Sequence, residues 1–378
     1  MVRTNRGHHK SKKSRKRVGT MSKVGKSKVI EEGDIFFFYR PKVNTEEVKD
    51  SESVQRFYMV TSPDTSDVNR VFLLGQKQLP EIIERDSNSE ERNWALNVLT
   101  TSDADEIRKE FLPVEYQTET RGTRSVGAAV PVGEGKYCIV EHEGHSELAY
   151  ILELPELPGP TQTEFQIKKE ASYIISIKNP DIQVPGYRAF LKRKPGYPSS
   201  LKEKFGDKRW INVEDPKFLN YENAQLLLIG ARKKNVEEEL GININEEKES
   251  TSTAELFKNL RIRKEQVPLK PLLEGEFPSK DEVPFAQEIK TLSNDEAPGR
   301  GGKIGGRIAA RSSVSAASVA KILSGIEFPK NKNQLIKYAE QNKDRINDPD
   351  SMIETLKELH DTRFENMADV EKALGKIR

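Results

Sequence analysis

Cysteine occurs once in 378 residues, at Cys138, which excludes an internal disulfide and fits a reducing compartment. No apolar run approaches the ~18 residues that a membrane-spanning helix needs. The N-terminus also lacks the apolar stretch of a secretory signal, so a cytoplasmic protein with no membrane contact is expected. Hydrophobic residues make up 35% and charged residues 32%, so much of the chain is expected to stay unpacked. Catalytic signatures are missing too. The chain has no nucleophile elbow, phosphate-binding loop, Cys-x-x-Cys pair or His-Glu-x-x-His helix, and no cofactor is expected.

Acidic residues are missing from one region only. Met1–Lys28 carries 11 basic residues and no acidic one, although 62 Lys+Arg and 60 Asp+Glu leave the whole chain at +2. From Gly33 to Gly230, 25 basic residues meet 32 acidic ones, a balance of −7. Residues 231–312 (15 against 15) and 313–378 (11 against 11) are neutral. Binding to DNA or RNA is therefore expected of the tail, through Lys10, Lys12, Lys13, Arg15, Lys16 and Arg17. Residues 1–28 bury too little apolar surface to offset chain entropy and read as a disordered basic tail. The same cluster also fits a nuclear address in a nucleated source, a nucleoid contact, or a solubilising tail.

Residues 33–230 read as a mainly β core, a sandwich or open barrel with α+β character. Phe36-Phe37-Phe38-Tyr39 suits a strand buried on both faces, ended by Pro41. Arg56–Val60, Arg70–Gly75, Ser172–Lys178 and Ala224–Ile229 are further strands. Leu79, Ile82 and Ile83 at helical spacing predict a short helix over Gln78–Glu84, and Ser102–Phe111 has an Asp-rich helical first turn. Glu91–Leu99 fits strand or helix. Glycine-rich Arg121–Val132 reads as a bend between strands. Tyr187–Tyr197 mixes aromatics with Arg188, Lys192, Arg193 and Lys194, a surface loop whose pattern also fits base stacking.

The middle of the core is a hairpin, Lys136–His142 and His145–Leu154 around Glu143-Gly144. A two-residue turn opposes His142 to His145, Val140 to Glu147 and Cys138 to Ala149 on one face. Cys138, His142, His145 and Glu147 then form a candidate metal or acid–base cluster of suitable ligand types. The competing reading is a solvated tip whose imidazoles bond to carboxylates or backbone, with Cys138 a small core residue.

Residues 231–312, with Lys/Glu blocks, scattered prolines and the Arg/Gly run Ala297–Arg307, read as a flexible charged linker. Residues 313–378 read as an all-α bundle. Its helices are Ser315–Leu323, one capped by Asn331 and Gln334, one from Asp348-Pro349, and one from Asn366.

Ile326-Glu327-Phe328-Pro329, Gln334–Ala339, Phe364 and Val370–Leu374 together resemble a bacterial family of small helical domains of unknown function. Asp34–Val43, His145–Tyr150 and Lys178-Asn179-Pro180 resemble an uncharacterised hypothetical-protein family. Relatives of the second family read His-Thr-His-Leu where this chain has His145-Ser146-Glu147-Leu148, so Glu147 replaces a histidine there. Neither resemblance implies an activity. The expected function is a non-enzymatic modular adaptor that contacts nucleic acid through its tail and a protein partner through its helical module. The alternatives are a protein scaffold without nucleic acid and a metal-assisted hydrolase at His142 and His145.

Overall fold

A computed structural model describes residues 27–82 except 46, 92–118, 122–182, 194–244, 249–284 except 251, 288–292, 322–343, and then 353, 356, 357, 359, 362–370 and 373. The six candidate tail residues, the Arg/Gly run and most of Tyr187–Tyr197 lie outside the described residues.

The strands are β1 (Lys28–Pro41), β2 (Val54–Pro63), β3 (Asn69–Leu74), β4 (Arg92–Thr101), β5 (Val114–Thr118), β6 (Gly122–Val126), β7 (Val130–His142), β8 (His145–Leu154), β9 (Glu170–Lys178), β10 (Trp210–Asn212), β11 (Gln225–Arg232) and β12 (Lys290–Leu292). Eight of them close a barrel in the order β1-β2-β3-β4-β11-β9-β8-β7, with β7 returning to β1. Neighbours around the ring are antiparallel. The mainly β expectation holds, but the sheet is a closed barrel rather than a sandwich or an open one. Closure comes from β8 pairing with β9 over Ser146↔Ile175 to Ile151↔Glu170.

Alternation along β1 accounts for its aromatic run. Ile35, Phe37 and Tyr39 enter the barrel beside Phe57, Met59, Phe72, Tyr150 and Tyr173. Phe36 and Phe38 point outward into a second cluster with Tyr58, Val60, Ile107 and Phe111. At one end of the barrel Phe165 stacks on Tyr39 and Phe57, with ring centroids 5.5 and 4.9 Å apart. At the other end, residues 197–221 supply Tyr197, Phe205 and Phe218 to the core. Gly135 is required in the wall, because a Cβ there would meet the Ile151 carbonyl oxygen at 2.0 Å.

The second end carries a buried ion pair. Arg70, 1% exposed, donates to both oxygens of Glu31 at 2.6 and 2.8 Å and to Asn220 Oδ1 at 2.6 Å. Tyr137 adds a bond to Glu31 Oε1 at 2.8 Å. The pair therefore fastens the 216–220 turn to the strands below it.

Three expectations need correction, and one left open between strand and helix is settled. Residues 78–82 are not helical; Leu79 bonds through its N–H to the Phe165 carbonyl at 3.0 Å, and end-closure outweighs the helical spacing. Residues 92–101 are strand. Within the expected bend, Gly122–Val126 pairs with Val114–Thr118. The unpacked linker expected from residue 231 does not hold for the described part of 231–292. Val236, Leu240 and Ile244 cover Cys138, Val140 and Ala149. Leu256, Leu260, Ile262 and Leu272 cover the outer face around Phe36 and Phe38. Lys290–Leu292 adds a parallel strand to Val114–Tyr116. An average composition hides this, since a strap needs only one apolar residue per turn to dock while its Lys and Glu stay wet.

The strap is also held by polar anchors on β7. Glu134, fully buried, accepts the N–H groups of Glu255 and Leu256 at 2.6 and 3.2 Å, at the start of helix Glu255–Asn259. Lys136 Nζ reaches Asp34 Oδ1 and Glu255 Oε1, each at 2.8 Å.

In the C-terminal part, helix Lys332–Gln341 carries the expected Asn331/Gln334 capping box. Leu335 and Ala339 join Ile322, Leu356, Phe364 and Val370 in one apolar cluster. Lys330–Asn331 pairs with Arg363–Phe364 as a short antiparallel bridge, so this part is not purely helical.

Arg70→Met should cost about 3–5 kcal/mol in a urea titration, because it leaves the Glu31 carboxylate buried without its partner. Burial pushes the Glu134 carboxyl up to about 8 from an ordinary 4.5. A raised acid stabilises the fold most below its unfolded value, and the contribution fades as pH rises toward 8. Wild type should therefore lose stability between pH 5 and 9 by an amount that Glu134→Gln removes, measured by thermal unfolding across that range.

Candidate functional site

Hairpin β7–β8 turns at Glu143 (φ +48) and Gly144 (φ +83), the two left-handed positions a tight two-residue turn demands. The resulting register pairs His142 with His145, Val140 with Glu147 and Cys138 with Ala149, the pairing the turn predicts. The tip is not solvated throughout, as one reading of the sequence held. His142 is 5% exposed and Glu147 fully buried, while Glu143 and Gly144 are exposed.

His142 Nδ1 shares a 2.8 Å hydrogen bond with Ser27 Oγ, and its Nε2 lies 3.9 Å from Glu143. Its ring meets that of His145 edge-on at 5.8 Å. His145 Nε2 donates to Glu147 Oε1 at 2.8 Å. Ser172 Oγ donates to Glu147 Oε2 at 2.8 Å, and Arg232 Nη1 reaches both oxygens at 2.5 Å. Arg232 then bonds Glu239 at 2.8 Å, tying helix Val236–Leu240 to the wall. Burial alone would raise the Glu147 carboxyl, but bonds from Arg232, His145 and Ser172 hold it below the ordinary value.

The four candidate ligands share a face without converging. His145 and Glu147 bond to each other, His142 turns to Ser27, and Cys138 sits among Val140, Ala149, Val236 and Leu240. Burial, helped by Glu32 and Glu237, pushes the Cys138 thiol up to about 12, far from a thiolate ligand or nucleophile at neutral pH. Among the described residues, no three His, Cys, Asp or Glu side chains are grouped to hold a metal ion.

What the arrangement does is join segments. Ser27 and Lys28, where the basic tail enters the fold, meet the tip through His142 and the Lys28↔Glu141 pair. Asn212 Nδ2 donates to the Gly144 carbonyl at 2.6 Å and brings β10 to the same place. Sequence reasoning missed Arg232, Ser172 and Ser27. The one available signal was that Glu147, an acid in an apolar strand, needs a cation from elsewhere in the chain.

Glu147→Gln should destabilise the protein by about 3 kcal/mol at pH 7, because Arg232 loses its buried anion. A lowered carboxyl contributes stability above its unfolded value and loses it as pH falls through the folded one. The gap between wild type and variant should therefore shrink toward pH 3 in denaturant titrations.

Residues 314–371 match the family described as Protein of unknown function (DUF2795). The match covers the C-terminal region and leaves out the barrel. No curated protein and no solved structure matches the chain.

Proposed function

We propose that this chain is a non-enzymatic adaptor that grips nucleic acid through its N-terminal tail and presents a barrel and a C-terminal domain to protein partners. The observation that carries the reading is the run of 11 basic residues without an acid in Met1–Lys28, rooted at the hairpin tip through Ser27 and His142. Such a run displaces counterions from a polyanion, whereas the −7 balance of Gly33–Gly230 repels one. Lys10, Lys12, Lys13, Arg15, Lys16 and Arg17 are the proposed contacts, and a cytoplasmic or nucleoid-associated setting fits them.

A container role is less well supported, because aromatic side chains fill the barrel and both ends receive core residues. A hydrolase is also less well supported, since Glu147 and His145 are engaged with Arg232 and each other.

The test is salt-dependent binding of the full chain to DNA and RNA. Affinity should fall with a log–log slope of roughly −0.9 per duplex phosphate contacted. Replacing the six named cations with Gln should flatten that slope and remove most duplex binding. An unchanged slope would move the chain to the protein-scaffold class.

A further inference from the structure

One stretch of the covering is pinned beyond both its ends and rests on a single buried acid between them. Upstream, Val236, Leu240 and Ile244 sit on Cys138, Val140 and Ala149. Downstream, the Pro271 carbonyl accepts Gln162 Nε2 at 2.8 Å, and the Gly275 carbonyl accepts the Thr161 N–H at 2.9 Å. A Cβ on Gly159 would meet that Gly275 oxygen at 2.5 Å, so the two segments are in close contact there. Residues 254–267 lie between these anchors. They form helix Glu255–Asn259 and the turn Lys264–Gln266, with Leu256, Leu260, Ile262 and Val267 against the wall. The N–H groups of Glu255 and Leu256 go to Glu134 on β7. Asn259 adds a bond to Asp34 at 2.8 Å, and Arg261 reaches Asp105 at 2.7 Å from an exposed position, where an ion pair holds little.

The surroundings of Glu134 favour its neutral form. Its partners across the sheet are Phe36 on β1 and Leu154 on β8, neither of which carries a charge. The charged groups acting on it from other elements are acids, Glu255 in the strap and Glu249 just before it. One oxygen of Glu249 is itself buried without a hydrogen-bond partner among the described residues. Lys136, two residues along β7, is committed to Asp34 and Glu255, and Asp34 also has Glu32 and Asp64 around it. Burial pushes the Glu134 carboxyl up to about 8, both acids add to the rise, and the two N–H bonds only partly oppose it. At neutral pH the closed strap therefore rests on a protonated acid.

We infer that residues 254–267 form a proton-latched strap: the neutral carboxyl of Glu134 keeps them closed on the outer wall, and loss of its proton lets them open while the barrel stays intact. Opening brings water to the carboxyl, which can then ionise in its ordinary range near 4.5. Each opening therefore releases one proton between pH 4.5 and about 8. The latch is complete below the lower value and is lost progressively as pH rises to the upper one. The opening constant should climb about tenfold per pH unit inside that window and level off above it. Local opening is favoured because the strap consists of single turns, whereas β1 is laddered on both edges. What it uncovers is the apolar wall around Phe36, Phe38 and Tyr58, which the closed strap withholds from partners.

The experiment follows amide hydrogen exchange of the full chain from about pH 6 to about pH 8, each rate expressed as protection relative to an unstructured chain at that pH. Peptides from the strap should lose about tenfold in protection per pH unit, roughly 100-fold in all. At every pH they should be less protected than peptides from β1 and β2. Glu134→Gln has no proton to lose there, so its strap protection should change by less than about threefold over the same range. Barrel peptides that stay protected in the variant would show that it folds. Strap protection that does not vary with pH in wild type overturns the latch. So does equal protection of strap and barrel peptides, which would mean that the strap opens only when the whole fold does. Both of these outcomes are read on wild type and hold even if the variant is unstable. A slope in Glu134→Gln equal to that of wild type overturns the latch as well.

Discussion

Closure of the barrel depends on one shared edge. β9 gives Glu170–Ile175 to β8 and Ser176–Lys178 to β10, while its other edge is taken by β11. Without the β8–β9 ladder the wall would end in two exposed edges, each a template for another chain. With it, eight strands enclose a space that side chains must fill, because a ring of this size is just wide enough for them. The aromatic run in β1, Tyr150, Tyr173 and Phe165 does the filling. The interior is therefore a core, and chemistry directed at partners has to sit on the outside.

The outer face is covered by a different means. Elements past residue 232 have few apolar residues, and each docks through one or two of them plus a polar or ionic anchor. Helix Val236–Leu240 is held by Arg232, which bridges Glu147 and Glu239. Helix Glu255–Asn259 is held by Glu134 and Lys136. Arg40 donates to the carbonyls of Glu110 and Leu112 and so satisfies the C-terminal end of helix Ala104–Phe111. Each anchor puts a polar or charged group in a low-dielectric place, which is stable only while its partner is present. Removing one partner should loosen one patch of the covering rather than the barrel as a whole.

Local rules were enough for the hairpin. Glu143-Gly144 between alternating apolar runs determines both the turn and the register, since a slip of one residue would put Tyr137 and Tyr150 outside. Capping at Asn331 was legible for the same reason, as its partner Gln334 is three residues away. The strap was not legible. Its docking depends on Leu256 meeting the far side of β1 and on Glu134 lying 121 residues upstream of Glu255, and neither shows in a composition window. The candidate cluster was half legible. Residue types and facing were right, but Arg232 lay just past the chosen boundary and changes the meaning of Glu147 from ligand to counter-ion.

On the proposed reading the tail supplies the contact with nucleic acid and the barrel supplies its anchorage. Phosphate contacts by the tail fix position and are weakened by salt, but they carry no preference between paired and unpaired strands. A chain near zero net charge, with its positive charge concentrated before Lys28 and a balance of −7 over Gly33–Gly230, can capture a strand on the tail while the barrel stays clear of it. The hairpin tip then matters as the joint between them. His142 holds the start of the tail through Ser27, and Gly144 holds β10 through Asn212, so the two contacts lie one turn apart. Loss of the Ser27–His142 bond would leave the barrel formed but release the start of the tail from the hairpin tip.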